Sequence, residues 1–192
     1  MIQTLGIILL AIFYIAYFLK LLNQKRRGIQ TNQLGRGNKA AKTVVIEILL
    51  RISTSVMAII MFVSTAFNVT FFSNPFIRGA GFFLFGLGTY LFILAMITMK
   101  DSWRAGIPDE DKTAIVTSGI YQFSRNPAFL GFDLTYLGAC LSFGNIIVWI
   151  CAIATITLMH LQILEEEKFL VKTFKNQYID YKNKVGRYLL FI

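Results

Sequence analysis

Apolar positions along this chain come in long uninterrupted runs, not in the periods of two or three to four that mark half-buried elements of a soluble protein. Crossing a hydrocarbon layer takes about 17 to 25 such residues in a helix, and the chain divides into units of that length. Thr4 to Leu22 is apolar except for Lys20, whose ammonium can snorkel to the interface. Ile52 to Phe72 carries no charge, and its helix is expected to begin near Thr43, with Glu47 and Arg51 one turn apart. Gly79 to Met99 is uncharged as well. Ala128 to Leu164 is too long for one crossing and is broken by Ser142-Phe-Gly-Asn145, which predicts a tight hairpin with arms of about 16 and 20 residues. The fold class expected is all-α integral membrane: five transmembrane helices, including a C-terminal hairpin, followed by a cytoplasmic amphipathic helix.

That last helix has a pattern of its own. Leu170, Phe174, Tyr178, Tyr181 and Val185 recur at helical spacing, with Lys168, Lys172, Lys175 and Lys182 on another row. Such a helix lies against the membrane surface or the protein's cytoplasmic face, with Glu165, Glu166 and Glu167 in its first turn.

Composition agrees: 56% of the 192 residues are hydrophobic, 15% are charged, and mean hydropathy is +0.61. Charge sets the orientation, because basic residues in short loops stay on the cytoplasmic side. Lys20 to Lys42 holds seven basic residues, Lys100 to Arg125 four, and the segment after Leu164 six, whereas Ser73 to Arg78 has one. The expectation is an N-terminus outside, a C-terminus inside and a site at the cytoplasmic face. The net charge of +9 is thereby explained by topology and anionic headgroups, which argues against nucleic acid as a partner. Asn23 to Lys42 reads as a flexible loop, and residues 1–192 as a single domain. Cys140 and Cys151 have no partners at ligand spacing, so no metal is expected.

Chemistry concentrates in Ala114 to Gly131 and in the Glu165-Glu166-Glu167 cluster. Thr117-Ser118-Gly119 predicts a turn that presents backbone groups to a pocket. Asn126-Pro127 predicts a helix start, asparagine at the cap and proline at the first position. Arg125 stands where the loop meets the membrane and can bind a phosphate, pair with a carboxylate or mark the boundary.

These residues carry a resemblance. Ile115-Val-Thr-Ser-Gly-Ile-Tyr121, then Arg125-Asn-Pro-Ala-Phe-Leu-Gly131, the hairpin, the Glu cluster, and Tyr178-Ile-Asp-Tyr181 with Arg187 resemble the isoprenylcysteine carboxyl methyltransferase and phospholipid methyltransferase superfamily, over roughly residues 79–192. The resemblance implies a membrane-embedded enzyme that takes methyl from S-adenosylmethionine, releases S-adenosylhomocysteine and acts on a membrane lipid or lipidated substrate. It also implies a site with Arg125, Glu167 and Asn126 in catalysis, and with Val116, Thr117, Gly119, Tyr121, Pro127 and Glu166 around the cofactor. Gly86 and Gly88 look like the Gly-x-Gly that phosphatidylethanolamine methyltransferases place near it, though small residues also permit close helix packing. Two positions depart from the pattern: Asn126 stands where carboxyl methyltransferases have histidine, and Lys175 where a glycine often precedes Tyr-x-x-Tyr.

Methyl transfer from a sulfonium is an in-line displacement, so a protein has to align three atoms and exclude water. Glu166 or Glu167 can accept from the ribose or amino group, the backbone of residues 116–121 can hold the base and amino-acid portion, and Tyr121 and Phe129 can line the sulfonium. Arg125 can pair with the cofactor carboxylate or with an acceptor carboxylate or phosphate. A carboxylate acceptor is nucleophilic at neutral pH, while an alkylammonium of pKa ~10 must first lose a proton, at roughly 4 kcal/mol. Candidate bases are Glu165, Asp133 and His160. The Asn-Pro pair favours a phospholipid-like or lipophilic amine, with carboxyl methylation of isoprenylcysteine or a small isoprenoid acid as the alternative. A non-catalytic membrane scaffold or lipid-binding protein is the alternative of another class.

Overall fold

A computed structural model describes residues 2–108 and 114–189. Five helices follow in order: α1 Ile2–Arg26, α2 Ala41–Ala66, α3 Pro75–Met99, α4 Pro127–Phe143 and α5 Ile146–Lys184, with short 3-10 turns at Lys100–Ser102 and Gly119–Gln122. No strand forms among the described residues, only an isolated parallel bridge between Asn32 and Ala105. Four helices are long and apolar enough to cross a membrane. The fifth apolar segment, α4, has 17 residues, about 25 Å at 1.5 Å per residue, and is shorter than the others. Large side chains such as Phe83, Ile97, Ile150 and Ile153 stand exposed on the outer surface, where a surround of lipid and not water is required.

The helix ends follow local chemistry. Asn74 caps α3 by accepting from the Phe76 N–H at 2.8 Å, with Pro75 in the first turn. Asn145 caps α5, accepting from Ile147 and Val148 at 2.9 and 3.2 Å, so the hairpin turns where the polar break in the sequence stands. Lys20 does not reach outward from α1; its Nζ donates to the Lys100 and Met96 carbonyls at 2.7 and 3.1 Å, at the C-terminal end of α3.

Small residues set the contact between α3 and α4. A methyl group on Gly88 would lie 2.5 Å from the Gly131 carbonyl oxygen and the Thr135 nitrogen, both backbone atoms. Gly81 and Gly138 face the partner helix in the same way. Backbones can approach this closely only where side chains are absent, and in lipid such packing replaces the hydrophobic drive. Gly88 is therefore a packing residue, whereas nothing lies within 4 Å of a methyl built on Gly86. Beside this contact the rings of Phe13, Phe92 and Phe132 meet at 4.6 to 5.0 Å between centroids, joining α1 to α3 and α4.

Three expectations change. The segment after α1 is tied down: the Ala105 N–H donates to the Thr31 carbonyl at 2.9 Å, the Gln33 N–H donates to the Ala105 carbonyl at 2.8 Å, and Thr31 and Gln33 are buried. Glu47 is buried and pairs with Lys39 at 2.7 Å, not with Arg51 one turn away, because α2 turns Glu47 inward and leaves Arg51 exposed. The Glu cluster is not the first turn of a separate helix. It lies within α5, which runs on to Lys184 with a break at Lys175, so a helix N-terminus contributes nothing there.

Lys175 has φ 47° and ψ −126°, a region that costs a side-chain-bearing residue on the order of 1–3 kcal/mol and glycine little. Replacing Lys175 by glycine should raise the thermal midpoint of the detergent-solubilised protein. Gly88→Ala should lower it by several degrees while Gly86→Ala leaves it within a degree or so, roughly the spread between a backbone clash and open space.

Candidate active site

The chain enters α4 through Ser124, Arg125 and Asn126. Ser124 Oγ accepts from the Asn126 N–H at 3.1 Å, a local turn that orders the chain just before α4. Asn126 makes no side-chain cap; its Nδ2 donates to the Arg187 carbonyl at 3.1 Å. The Arg125 N–H donates to the Gly186 carbonyl at 3.0 Å, and Ser124 Oγ donates to the Arg187 carbonyl at 3.4 Å. These bonds lace the segment beyond α5 against the start of α4 and bring a second arginine to the site.

Both arginines converge on one carboxylate. Arg187 binds Glu167 with Nε on Oε1 and Nη2 on Oε2, both at 3.0 Å, a bidentate fork. Arg125 Nη1 stands 3.1 Å from Glu167 Oε1, and both side chains are 7% exposed. Arg125 also donates to the Tyr178 hydroxyl at 3.3 Å, while its buried Nε has no partner among the described residues. The Glu167 carboxylate holds the Arg187 pKa above its ordinary value. Burial pushes Tyr178 up to about 12, and burial also raises Tyr121 and Tyr181, so all three remain neutral hydroxyls through the physiological range. Tyr181 donates to the Tyr121 carbonyl at 2.6 Å, fastening the end of α5 to the 3-10 turn.

Behind this cluster opens a cavity of about 1150 Å³. Along α1 and α2 its wall is mainly apolar, with Leu10, Phe13, Leu50 and Ile59, and includes Arg51, Thr54 and Ser55 of α2. The wall also includes Gln162 and Glu166 of α5 with Tyr121, Arg125, Asn126 and Tyr178. The tail stripe also faces inward, since Leu170, Phe174, Tyr178 and Tyr181 all line the cavity. Gln162 is fully buried, donates from Nε2 to Glu166 Oε1 at 3.0 Å and to Glu47 Oε1 at 3.4 Å, and its own Oε1 has no partner.

The structure distributes the residues singled out in the sequence unevenly. Val116, Tyr121, Phe129, Arg125, Asn126 and Glu166 lie on the cavity wall. Glu167 meets the site through Arg125 and otherwise borders an outer groove with Glu165, Lys168 and Lys182. Thr117, Gly119, Pro127, Gly86 and Gly88 are absent from the wall; Gly119, at φ +60°, packs its turn against Thr98, and Gly88 is held in the α3–α4 contact. Of the three candidate bases, Glu165 binds Lys168 and Thr43, His160 Nδ1 is 2.7 Å from the Tyr188 hydroxyl, and Asp133 has a buried oxygen without a partner. None of the three lines the cavity. Gln162 and Glu47 were not singled out for the site. The signal available was their polarity inside apolar runs, which in a membrane helix asks for a partner.

A sequence model of the phospholipid methyltransferase family matches residues 76–177, a stretch that contains α3, the site loop, α4 and the Glu cluster. The chain belongs to the phospholipid methyltransferase family. Among curated proteins it is similar to the protein-S-isoprenylcysteine O-methyltransferases of Saccharomyces cerevisiae, 33% identical over 109 residues (55% of this chain and 46% of that protein), and of Rattus norvegicus, 29% identical over 119 residues (60% and 42%). The Schizosaccharomyces pombe protein of the same name is 29% identical over 102 residues, 52% of this chain and 43% of that protein. This family member thus spans about half the length of the curated relatives it matches. Glu47, Lys39 and Arg187 lie outside the matched stretch.

Removing the charge of Glu167 leaves two arginines facing each other in a largely buried setting. Glu167→Gln should destabilise the protein by about 3 kcal/mol, the usual cost of breaking a buried pair from one side, and denaturant unfolding in detergent would measure it. A loss below about 1 kcal/mol would mean that solvent screens the cluster.

Proposed function

We propose that this chain is a membrane-embedded methyltransferase that uses S-adenosylmethionine and acts on a carboxylate carried by a lipophilic chain. One observation carries the reading: a single cavity whose wall is mainly apolar, from Leu10, Phe13, Leu50 and Ile59 of α1 and α2 to Leu170 and Phe174 of α5, and which also receives Arg125, Gln162 and Glu166. Pockets for single small molecules run to about 1,000 Å³, so a volume of 1150 Å³ suits a cofactor with a second, lipophilic molecule beside it.

The residues present fit the cofactor. Gln162 Oε1 and the Glu166 carboxylate are acceptors for its hydroxyl and amino groups, the Val116 to Tyr121 segment offers backbone groups, and Tyr121 and Phe129 supply aromatic surfaces for a cation. When bound, S-adenosylmethionine supplies an electrophilic methyl group on a sulfonium. The protein's part is to position the acceptor and exclude water, with the charge and open Nε of Arg125 orienting an anionic group and the apolar wall receiving its lipid. Glu167 and Tyr178 hold the Arg125 guanidinium in place.

Two observations favour a carboxylate over the amine that the Asn-Pro pair suggested. The Asn126 side chain is committed to the Arg187 carbonyl, which makes it a structural tie. A carboxylate needs no base, and none of Glu165, Asp133 and His160 reaches the wall. The names of the curated relatives support the same acceptor. A lipophilic amine is the second reading, favoured by the buried Glu166 and Gln162 on the wall. The loop charges support a cytoplasmic site, with the N-terminus outside.

Detergent-solubilised protein given methyl-labelled cofactor and a lipid panel should yield a product whose label is released by mild base, as methyl esters are. Label that persists through base would select the amine. Arg125→Ala should reduce kcat/KM about 100-fold, the scale expected when a positioning charge is lost. Well-folded protein with no affinity for S-adenosylhomocysteine would overturn the enzyme reading altogether.

A further inference from the structure

Glu47 sits on α2, outside the stretch that carries the family match, and is fully buried. Its Oε2 accepts from the Gly35 N–H and from Lys39 Nζ, both at 2.7 Å, and its Oε1 accepts from the Ile107 N–H at 2.9 Å and from Gln162 Nε2 at 3.4 Å. One carboxylate thereby joins the segment after α1, the segment after α3, and α5. The other N–H of the Gln162 amide goes to Glu166. A flip of this amide would turn its carbonyl oxygen against the Glu47 carboxylate, which already accepts from Gly35, Lys39 and Ile107, so the amide nitrogen is the group that faces Glu47. That orientation leaves Gln162 Oε1 buried and without a partner among the described residues, on a residue of the cavity wall. A buried acceptor with nothing to accept from is costly unless a ligand completes it.

We propose that Glu47 is a positioning residue: with Glu166 it locks the Gln162 amide so that Oε1 is presented to the cavity as the acceptor for an N–H group of a bound ligand. The proposal rests on the methyltransferase reading for the identity of the ligands. It adds that α2 and the loop of residues 27–40, which the family match does not reach, take part in recognition. The N–H can come from the cofactor, which carries amino groups, or from the lipid-borne acceptor. The geometry asks only for a donor.

The test compares Glu47→Gln, Gln162→Met and the double variant with wild type, by calorimetric titration of S-adenosylhomocysteine and by the KM for the lipid acceptor, with thermal midpoints alongside. Met keeps the length of Gln162 and removes its amide, so Oε1 and the N–H groups that bind Glu47 and Glu166 are lost together. Each single variant should weaken one ligand about tenfold, the scale of one unsatisfied buried hydrogen-bonding group, with kcat changed much less. The double variant should bind no more weakly than Gln162→Met alone, because Glu47 acts through that amide. A change in S-adenosylhomocysteine affinity identifies the donor as the cofactor's, and a change confined to the acceptor KM identifies it as the lipid's. Additive effects, or a lowered thermal midpoint with both affinities intact, would overturn the proposal and leave Glu47 as a structural tie. Wild type that binds neither ligand would overturn the methyltransferase reading and this inference together.

Discussion

The site depends on the Glu167 carboxylate between Arg125 and Arg187. Holding a buried guanidinium beside a partly exposed one is unfavourable unless an anion lies between them, and the bidentate fork from Arg187 together with the single contact from Arg125 meets that requirement. The consequence is topological. Arg125 precedes α4, Glu167 lies deep in α5, and Arg187 follows α5, so one ion cluster closes the polar end of the hairpin. Asn126, Ser124 and the Arg125 backbone add hydrogen bonds to residues 186 and 187, which keeps the second arginine in reach.

A second constraint acts on the apolar side. The glycines of α3 and α4 draw those helices together until backbone meets backbone, while residues of α1, α2, α4 and α5 line the cavity. The aromatic group of Phe13, Phe92 and Phe132 joins the two regions.

Polar groups inside the apolar runs divide by whether they find partners. Glu47 has four donors and is accounted for by them; Gln162 has an amide nitrogen fully engaged and an oxygen that is not. Ordinary structural polarity looks like the first case. A ligand-facing group looks like the second, which is why the unengaged oxygen carries more functional weight than the larger charge beside it.

The helical membrane character, the starts of the helices within a few residues, the hairpin break at residues 142–145 and the family-like order of Arg125, the Glu cluster and Tyr178 were legible in the chain, because they depend on local runs and spacing, whereas the ends of α2 and α5 were not. Which partner each polar residue takes was not. Asn126 has the composition of a helix cap and acts as a tie to residue 187; Glu47 has a basic residue at the favoured spacing and pairs with Lys39; Gly88 resembles a cofactor element and packs against Gly131. Local sequence offers each of these side chains a nearby partner, whereas burial decides among distant ones. Desolvation makes the buried contact the one that must be satisfied, and only the tertiary structure brings the Arg187 carbonyl to 3.1 Å from the Asn126 side chain.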